Sequence, residues 1–362
     1  MFESIIGQEH PKKIIGSMIE TDRIPHALLF AGPYGVGKGE MSLEMARMLL
    51  CSNGPDSGCS SCSSCIRSSR LEHPDLHVLF PIRAQPKSGD SLASWLDELI
   101  NHKKVLAEEP YAPIIYEKSR QIVVGLVREV YERLLETSFE GGRKVCVILS
   151  AERLNVQTAN SLLKILEEPP SGVHFLLTTE RLSSVLPTII SRASVVRFRR
   201  LTEREIAGYL EKKYGIEPEK SSEYASLAEG SLKTAKAFIF ENKSVVLSRA
   251  FEIYKAIATG GPDEVIGQAF PFNWSRDVIE AEELIGGFAL CTRYVLKKKS
   301  GLEDRNGEFA DTVAALSDAT DLKKLQGLSV KLEEGLEMLG RNVNVSTVIT
   351  SIFYEIYDTY RH

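Results

Sequence analysis

Short apolar runs separated by helical patterns dominate the N-terminal part of the chain. A continuous apolar run of this kind is typical of a strand that is buried on both faces of a parallel sheet. The runs are Ala27–Ala31, Val78–Phe80, Lys144–Leu149, His174–Glu180 and Val195–Phe198. Between them, apolar residues recur with the period of a helix, as in Glu40–Leu50 and Ile122–Glu136. The pattern predicts an α/β domain over residues 1–198, in which helices flank a parallel sheet.

Helical periodicity takes over after Phe198. Thr202 is placed to cap a helix and Glu205 to complete a capping box, so we expect a domain boundary here and a small helical segment over residues 199–242. The pattern over residues 243–362 is helical throughout and by itself predicts a helical bundle. The predicted helices of this last part are Val245–Ile257, Ala281–Lys297, Glu308–Ser317, Leu322–Leu339 and Val345–Tyr360.

A phosphate-binding loop is predicted at Gly32–Gly39, between the first apolar run and the helix that follows it. In the pattern G-x-x-x-x-G-K-[ST], glycines let backbone N–H groups converge on phosphate oxygens, and the lysine adds a positive charge. Gly32, Gly35, Gly37 and Lys38 are therefore candidate nucleotide-binding residues. The strand, loop and helix context agrees with this interpretation.

Two positions that should handle Mg²⁺ lack the required oxygen atoms. Gly39 stands where the motif has a serine or threonine hydroxyl, and the strand that should end in acidic residues ends in Leu149-Ser150. Glu152 follows closely and a bulge could bring it back, but we favour a place before the helix that opens at Asn155. The sequence thus predicts a nucleotide-binding fold without ATP hydrolysis.

Four cysteines lie close together in the sequence, at Cys51, Cys59, Cys62 and Cys65. Thiolates at these spacings can surround one tetrahedral Zn²⁺, and four of them close its coordination shell, which is typical of a structural site. A redox pair is the alternative, but the Cys-x-x-Cys step is doubled and no thioredoxin-like context surrounds it. We therefore predict a zinc module at about residues 51–65.

The next segment contains residues that invite a second metal assignment. His73, Asp75 and His77 lie near one another, but a turn that enters a strand explains them better, since the cysteines already complete a shell. An insertion of unreadable function follows at about residues 81–119. Within it, Leu92–Val105 has helical spacing.

Composition narrows the class of protein. A length of 362 residues suits two or three domains, and 43% hydrophobic and 26% charged residues are ordinary for a globular protein. A net charge of -5 argues against a surface dominated by nucleic-acid contacts. No apolar run is long enough to cross a bilayer, and residues 1–16 lack the apolar core of a secretory signal. We expect a cytoplasmic protein with no membrane partner.

Several of these motifs together resemble the clamp-loader subunits of bacterial DNA polymerase III, which belong to the AAA+ class. They are the phosphate loop, the cysteine insertion after the first helix, the run Ser161–Pro170 (SLLKILEEPP) and the pair Ser191-Arg192. The resemblance covers most of residues 1–240. The altered ATP site is similar to that of delta-prime subunits, because the ATP-hydrolysing gamma and tau subunits keep a Ser or Thr after the lysine and an Asp-Glu pair after the strand.

The resemblance implies roles for individual residues. Arg192 would act as an arginine finger on the nucleotide of a neighbouring subunit, although a surface ion pair is the alternative that residue type alone favours. Thr178 or Thr179 would face the phosphates as a sensor, or else satisfy the backbone at the strand end. Lys233 lies near the place of a lid arginine, and we expect it to be a solvated charge.

The resemblance also implies an assembly. Residues 199–242 would form an AAA+ lid and residues 243–362 the collar of a hetero-oligomeric ring with gamma/tau and delta subunits. This ring loads a sliding clamp onto primed DNA during DNA replication. The chain would hold structural zinc, and ATP or ADP without hydrolysing it. Two rival functions stay open: an active ATPase that uses Lys38 with Glu152 or Glu167, and a stand-alone zinc-dependent nucleic-acid binder, against which the acidic charge speaks.

Overall fold

The computed structural model describes residues 2–83, 92–109, 111, 120–140, 142–240, 243–261, 278–301, 309–340 and 343–361. The chain divides into two compact units. The first contains residues 1–221 and 228–236, and the second contains residues 222–227 and 237–362. Residues 84–91, 110 and 112–119 of the insertion predicted at about residues 81–119 lie outside the described residues.

The first unit is built on a parallel sheet of five strands with the order β2-β5-β6-β1-β7. The strands of the chain are β1 (Ala27–Ala31), β2 (Leu76–Leu79), β3 (Ile82–Arg83), β4 (Arg120–Gln121), β5 (Lys144–Ile148), β6 (Val173–Thr179) and β7 (Ser194–Arg197). Strands β3 and β4 form a separate antiparallel pair. The sheet confirms the predicted parallel α/β fold, since β1 and β5 both pair with β6 in parallel.

The sheet is apolar on both faces because its strands alternate between two cores. Along β1, Leu28 and Phe30 belong to one buried cluster, while Ala27 and Leu29 belong to another. Each of these side chains is fully buried. A strand buried on both faces needs a continuous apolar run rather than an alternating one, which is why the sequence pattern was informative here.

Ten helices of the described residues begin in the first unit. They are α1 (Glu9–Glu20), α2 (Lys38–Leu49), α3 (Ser63–Ser69), α4 (Leu92–Glu108), α5 (Val124–Leu135), α6 (Val156–Glu167), α7 (Pro187–Ile190), α8 (Glu203–Tyr214), α9 (Pro218–Leu227) and α10 (Leu232–Phe240). The Asn155 side chain caps α6 by accepting the Thr158 N–H at 2.8 Å. This cap confirms that a new helix opens at Asn155.

Helix α8 begins with the predicted capping box. The Thr202 hydroxyl accepts the Glu205 N–H at 3.2 Å, and the Glu205 carboxylate accepts the Thr202 N–H at 2.8 Å. Arg199 donates to the same carboxylate at 2.6 and 2.9 Å. The hydrogen bond from Arg199 is the main reason that the pKa of Glu205 falls to about 2.

The second unit contains helices packed around one apolar core. They are α11 (Lys243–Thr259), α12 (Val278–Lys299), α13 (Ala310–Asp318), α14 (Leu322–Gly340) and α15 (Val345–Arg361). Tyr254 and Phe288 lie in the centre of this core with ring centroids 5.9 Å apart. All five helices overlap the helices predicted from periodicity. No helix in the described part of the chain has the length and apolar character of a membrane span.

Two boundaries differ from the sequence prediction. Strand β2 begins at Leu76, two positions before the predicted Val78, because the buried strand also takes in His77. Within the helical segment predicted over residues 199–242, the pattern indicated a helix at Ala225–Glu229; the observed α9 starts earlier, at Pro218, and ends at Leu227. Proline is well tolerated in a first helical turn, where its missing N–H would have no partner, so Pro218 marks the start that the sequence pattern had not revealed.

Candidate functional site

The phosphate loop joins β1 to α2 and requires glycine at two of its turns. Gly37 has φ +101° and Gly35 has φ +71°, both in the left-handed region that favours glycine. A Cβ on Gly35 would also lie 2.1 Å from the Ser231 hydroxyl oxygen. The loop therefore has the backbone that a phosphate-binding turn needs.

Lys38 lies at the start of α2 and is only 7% exposed. Its ammonium group donates to the Pro33 carbonyl at 2.5 Å. Burial lowers the pKa of Lys38, while the nearby carboxylates of Glu180, Glu40 and Glu152 oppose this shift. The lysine is thus held by its own loop and surrounded by acidic groups.

Gly39 faces an apolar side chain. A Cβ on Gly39 would have the Leu149 Cδ2 atom as a neighbour at 3.6 Å. Leu149 is 6% exposed and belongs to one of the buried apolar clusters. Gly39 and Leu149, the two positions that lack metal-binding oxygens in the sequence, are therefore neighbours in the fold. The Leu149 side chain lies next to Gly39.

Two further carboxylates whose charges act on Lys38, Glu152 and Glu180, were only partly anticipated. Glu152 lies in a 3₁₀ turn, Ala151–Arg153, which Ser150 precedes with a left-handed φ of 60°. Glu180 follows β6 directly at a position that is exposed overall. Desolvation of its carboxylate raises its pKa, and the charge of Glu152 adds to that effect. The sequence pattern included Glu180 in the predicted run His174–Glu180 but did not single it out as a site residue. Its place at the carboxyl end of a parallel strand, where ligands bind such sheets, was the available signal.

The hydroxyls of Thr178 and Thr179 are both engaged by the backbone. Thr178 Oγ1 accepts the Ser150 N–H at 3.0 Å and so joins the ends of β5 and β6. Thr179 Oγ1 accepts the Arg181 N–H at 3.3 Å and donates to the Arg181 carbonyl at 3.1 Å. The backbone role that the sequence left open for these residues is present in the structure.

Lys233 contradicts the expectation of a solvated charge. Its side chain is 16% exposed and forms an ion pair of 3.3 Å with Glu40, which is 3% exposed. The backbone explains this burial, because the Leu232 N–H donates to the Gly35 carbonyl at 3.0 Å. The start of α10 therefore packs directly against the phosphate loop and carries Lys233 with it.

Arg192 lies in the turn after α7. Its guanidinium donates to Glu167 at 2.6 Å and to the Thr188 carbonyl at 3.0 Å. The Arg192 side chain is 33% exposed and that of Glu167 is 51% exposed. The ion pair predicted as an alternative is therefore present, and it engages Glu167, one of the two carboxylates that the rival ATPase hypothesis named. Arg192 remains accessible from solvent.

The four predicted cysteines converge. Their Sγ atoms all lie within 4.8 Å of one another, and Cys51 Sγ is 3.7 Å from Cys59 and 3.9 Å from Cys62. Four thiolates around Zn²⁺ with bonds of about 2.3 Å lie about 3.8 Å apart at a tetrahedral angle. The cluster therefore has the donor atoms and the spacing to hold one metal ion.

The local backbone favours thiolates at Cys59 and Cys62, whereas burial raises the pKa of Cys65 to about 12. Cys59 Sγ accepts the Cys62 N–H and Cys62 Sγ accepts the Cys65 N–H, each at 3.4 Å. Hydrogen bonds from the Ser61 and Cys62 backbone lower the pKa of Cys59 to about 5. Arg47, on α2, donates to Cys65 Sγ at 3.4 Å. The phosphate-loop helix is thereby connected to the cysteine cluster.

His73 and Asp75 organise a turn, in agreement with the sequence interpretation. The Asp75 N–H donates to His73 Nδ1 at 3.1 Å, and Asp75 accepts hydrogen bonds from Ser138 Oγ and the Phe139 N–H at 3.0 and 3.1 Å. His77 lies separately in β2, where burial lowers its pKa to about 4. These residues position the chain around the cysteine module.

Comparisons with known proteins identify the family. A sequence profile for DNA polymerase III, delta subunit, matches residues 7–202. The delta' subunit of DNA polymerase III from Bacillus subtilis is 30% identical over 199 residues, which cover 55% of this chain and 50% of that protein. The tau subunit from the same organism is 26% identical over 323 residues, covering 88% of this chain and 46% of that protein. The chain spans about half the length of these two relatives.

A solved structure supports the fold. The crystal structure of a DNA polymerase III gamma subunit-related protein from Thermotoga maritima aligns with a TM-score of 0.50 and 16% identity. The alignment covers 96% of this chain and 99% of that one. Because the family profile also matches more than half of the sequence, this chain belongs to the DNA polymerase III delta subunit family, as a protein like the delta-prime subunits of the clamp loader.

Proposed function

We propose that this protein is a stator subunit of the bacterial clamp loader, which does not hydrolyse ATP and which completes the ATP site of a neighbouring subunit. The observation that carries the proposal is the contact between Gly39 and Leu149. To hold Mg²⁺, a phosphate loop needs a hydroxyl on the residue after its lysine, which is Gly39 here, and the neighbouring strand should end in a carboxylate. Here Gly39 has no side chain, and the side chain beside it is the buried hydrocarbon of Leu149, so neither position offers an oxygen atom.

Arg192 is the proposed contribution to catalysis in the assembly. A guanidinium can neutralise charge that develops on a transferring γ-phosphate, and it pairs with phosphate oxygens in two-pronged geometry. The charges that act on Lys38 come from the Glu180, Glu40 and Glu152 carboxylates and from Lys233, whereas Arg192 pairs with Glu167. The partial exposure of Arg192 and its place in the turn after α7 favour action on the nucleotide of an adjacent subunit.

The cysteine module has a structural role in this proposal. Four cysteine ligands leave no open coordination position, so Zn²⁺ bound there would stabilise the fold rather than take part in chemistry. We also propose the functional division into an AAA+ domain (residues 1–198), a lid (residues 199–242) and a collar (residues 243–362). The expected partners are gamma/tau and delta subunits, with the sliding clamp and primed DNA reached through the assembled complex.

An ATP-hydrolysing, gamma/tau-like subunit is the second candidate. It is favoured by the Glu152 and Glu180 carboxylates near Lys38 and by the similarity to a tau subunit. The stator is the better supported of the two, because Gly39 offers no hydroxyl and Leu149 offers no carboxylate to Mg²⁺.

Reconstitution tests the proposed function. The purified chain is mixed with gamma or tau and delta subunits of the same bacterium, and the mixture is analysed by size-exclusion chromatography and by loading of the sliding clamp onto primed DNA. We expect one complex that contains the chain, and loading that stops when the chain is omitted. A complex that assembles and loads clamps equally well without the chain would contradict the proposal.

A further inference from the structure

The end of the predicted insertion reaches the phosphate loop. Tyr111 is 3% exposed, and its hydroxyl oxygen accepts the Ile6 N–H at 3.4 Å. Its ring packs against Tyr209 of α8, with centroids 6.1 Å apart. A Cβ on Gly37 would lie 3.0 Å from the Tyr111 hydroxyl oxygen. Tyr111 therefore fills the space between the N-terminal segment, the phosphate loop and the lid helix.

Glu109, two positions before Tyr111, forms ion pairs with Lys213 of α8 and Lys236 of α10. Its carboxylate lies 2.8 Å from Lys236 Nζ and 3.4 Å from Lys213 Nζ, and it accepts the Tyr214 hydroxyl at 3.3 Å. The Lys236 side chain is only 2% exposed. An anionic ligand would have to replace Glu109 to use these charges, because a buried ammonium needs its partner.

A nucleotide bound by this loop must place its base and ribose in the space beyond the loop. A purine offers an aromatic face and a ring atom that accepts a hydrogen bond from a backbone N–H. Tyr111 supplies both features from within the chain: a ring against Tyr209 and an oxygen on the Ile6 N–H. The tyrosine therefore takes the contacts that a base would make.

On the basis of the function proposed above, we propose that Tyr111 and Glu109 form an intramolecular plug that excludes adenine nucleotides from the phosphate loop. The plug is a second barrier to ATP use, separate from the missing metal ligands at Gly39 and Leu149. It also gives Glu109 and Tyr111 a role: these two residues keep the stator in one state that does not depend on nucleotide.

Binding of a fluorescent ATP analogue, mant-ATP, in the absence of Mg²⁺ tests the plug. The full-length chain is titrated together with Tyr111→Leu, which keeps an apolar side chain but frees space, and with Tyr111→Leu/Glu109→Gln. We expect no saturable binding by the unchanged chain and an affinity at least about tenfold higher in the variants. Adding Lys38→Ala to Tyr111→Leu should remove the gained binding and so place it at the loop.

Tyr131→Ala, at a half-exposed tyrosine on α5, is the matched control and should leave binding unchanged. Circular dichroism and thermal melts identify variants that have unfolded. If Tyr111→Leu has unfolded, Tyr111→Phe takes its place: it frees the Ile6 N–H while keeping the ring, and it should bind the analogue more tightly than the unchanged chain. Saturable binding by the unchanged chain, or a folded double variant that binds no better, would overturn the plug. Neither result tests the proposed stator function, since neither experiment measures ATP hydrolysis or assembly of the complex.

Discussion

Replacing Arg192 by alanine is expected to lower ATP hydrolysis by about 10³-fold at the one site of the reconstituted complex that receives this arginine. Arginine fingers contribute roughly 10³ to 10⁵ to kcat because they stabilise charge on the γ-phosphate in the transition state. Only the site that receives this arginine loses its rate, so the total falls by less when other sites remain active. The measurement is the rate of ATP hydrolysis by the reconstituted complex in the presence of sliding clamp and primed DNA, with and without Arg192→Ala.

Two variants separate a catalytic role from a structural one. Arg133→Ala removes an exposed arginine that is paired with Glu129 at 2.7 Å, and it should leave the rate unchanged. Glu167→Ala releases Arg192 from its ion pair without removing the guanidinium, and it should retain most of the activity. Exposed ion pairs contribute about 0 to 1 kcal/mol, so neither change should unfold the chain. An assembled Arg192→Ala complex with full activity would contradict the role in trans.

Loss of the metal is expected to destabilise the N-terminal unit. Structural Zn²⁺ sites in small peptides contribute about 10–16 kcal/mol of binding free energy at neutral pH, which is an upper bound for the effect here. Cys62→Ser should be severe, since Cys62 is one of the four proposed ligands and its Sγ also caps α3. We expect one zinc per chain in the unchanged protein, none in the variant, and a lower thermal midpoint.

Cys146→Ala provides the control. Cys146 is a buried cysteine in β5 outside the cluster, so its replacement removes a thiol without removing a ligand. That variant should keep its zinc, even if the small cavity lowers its thermal midpoint. Full stability of Cys62→Ser without metal would show that the module does not depend on zinc. Disulfide formation among the four cysteines in the purified, unchanged chain would favour the redox alternative instead.

The sequence predicted the features that depend on local patterns. The buried strands could be found because both faces are covered, so that β1 and β5 are continuous apolar runs. The caps at Asn155 and Thr202 could be found because a helix start needs a side-chain acceptor close in sequence. The cysteine cluster could be found because its ligands are close together in the chain.

Contacts between distant segments could not be predicted in this way. Glu109 and Tyr111 reach the phosphate loop from an insertion whose sequence had no interpretable motif, and only the fold brings them to Ile6 and Gly37. Lys233 was expected to be solvated because lysine usually is, but the bond between the Leu232 N–H and the Gly35 carbonyl buries it. Residue type predicts an average environment, whereas the packing of distant elements decides the actual one.

The most direct test of the central claim is phosphate release from ATP by the isolated chain in the presence of Mg²⁺. The measurement is made on the unchanged protein and on Tyr111→Leu, so that a blocked cleft cannot hide an active site. We predict no turnover above the blank in either, and no further change with Lys38→Ala. Turnover by either protein that Lys38→Ala abolishes would contradict the claim that Gly39 and Leu149 have removed the capacity to hydrolyse ATP.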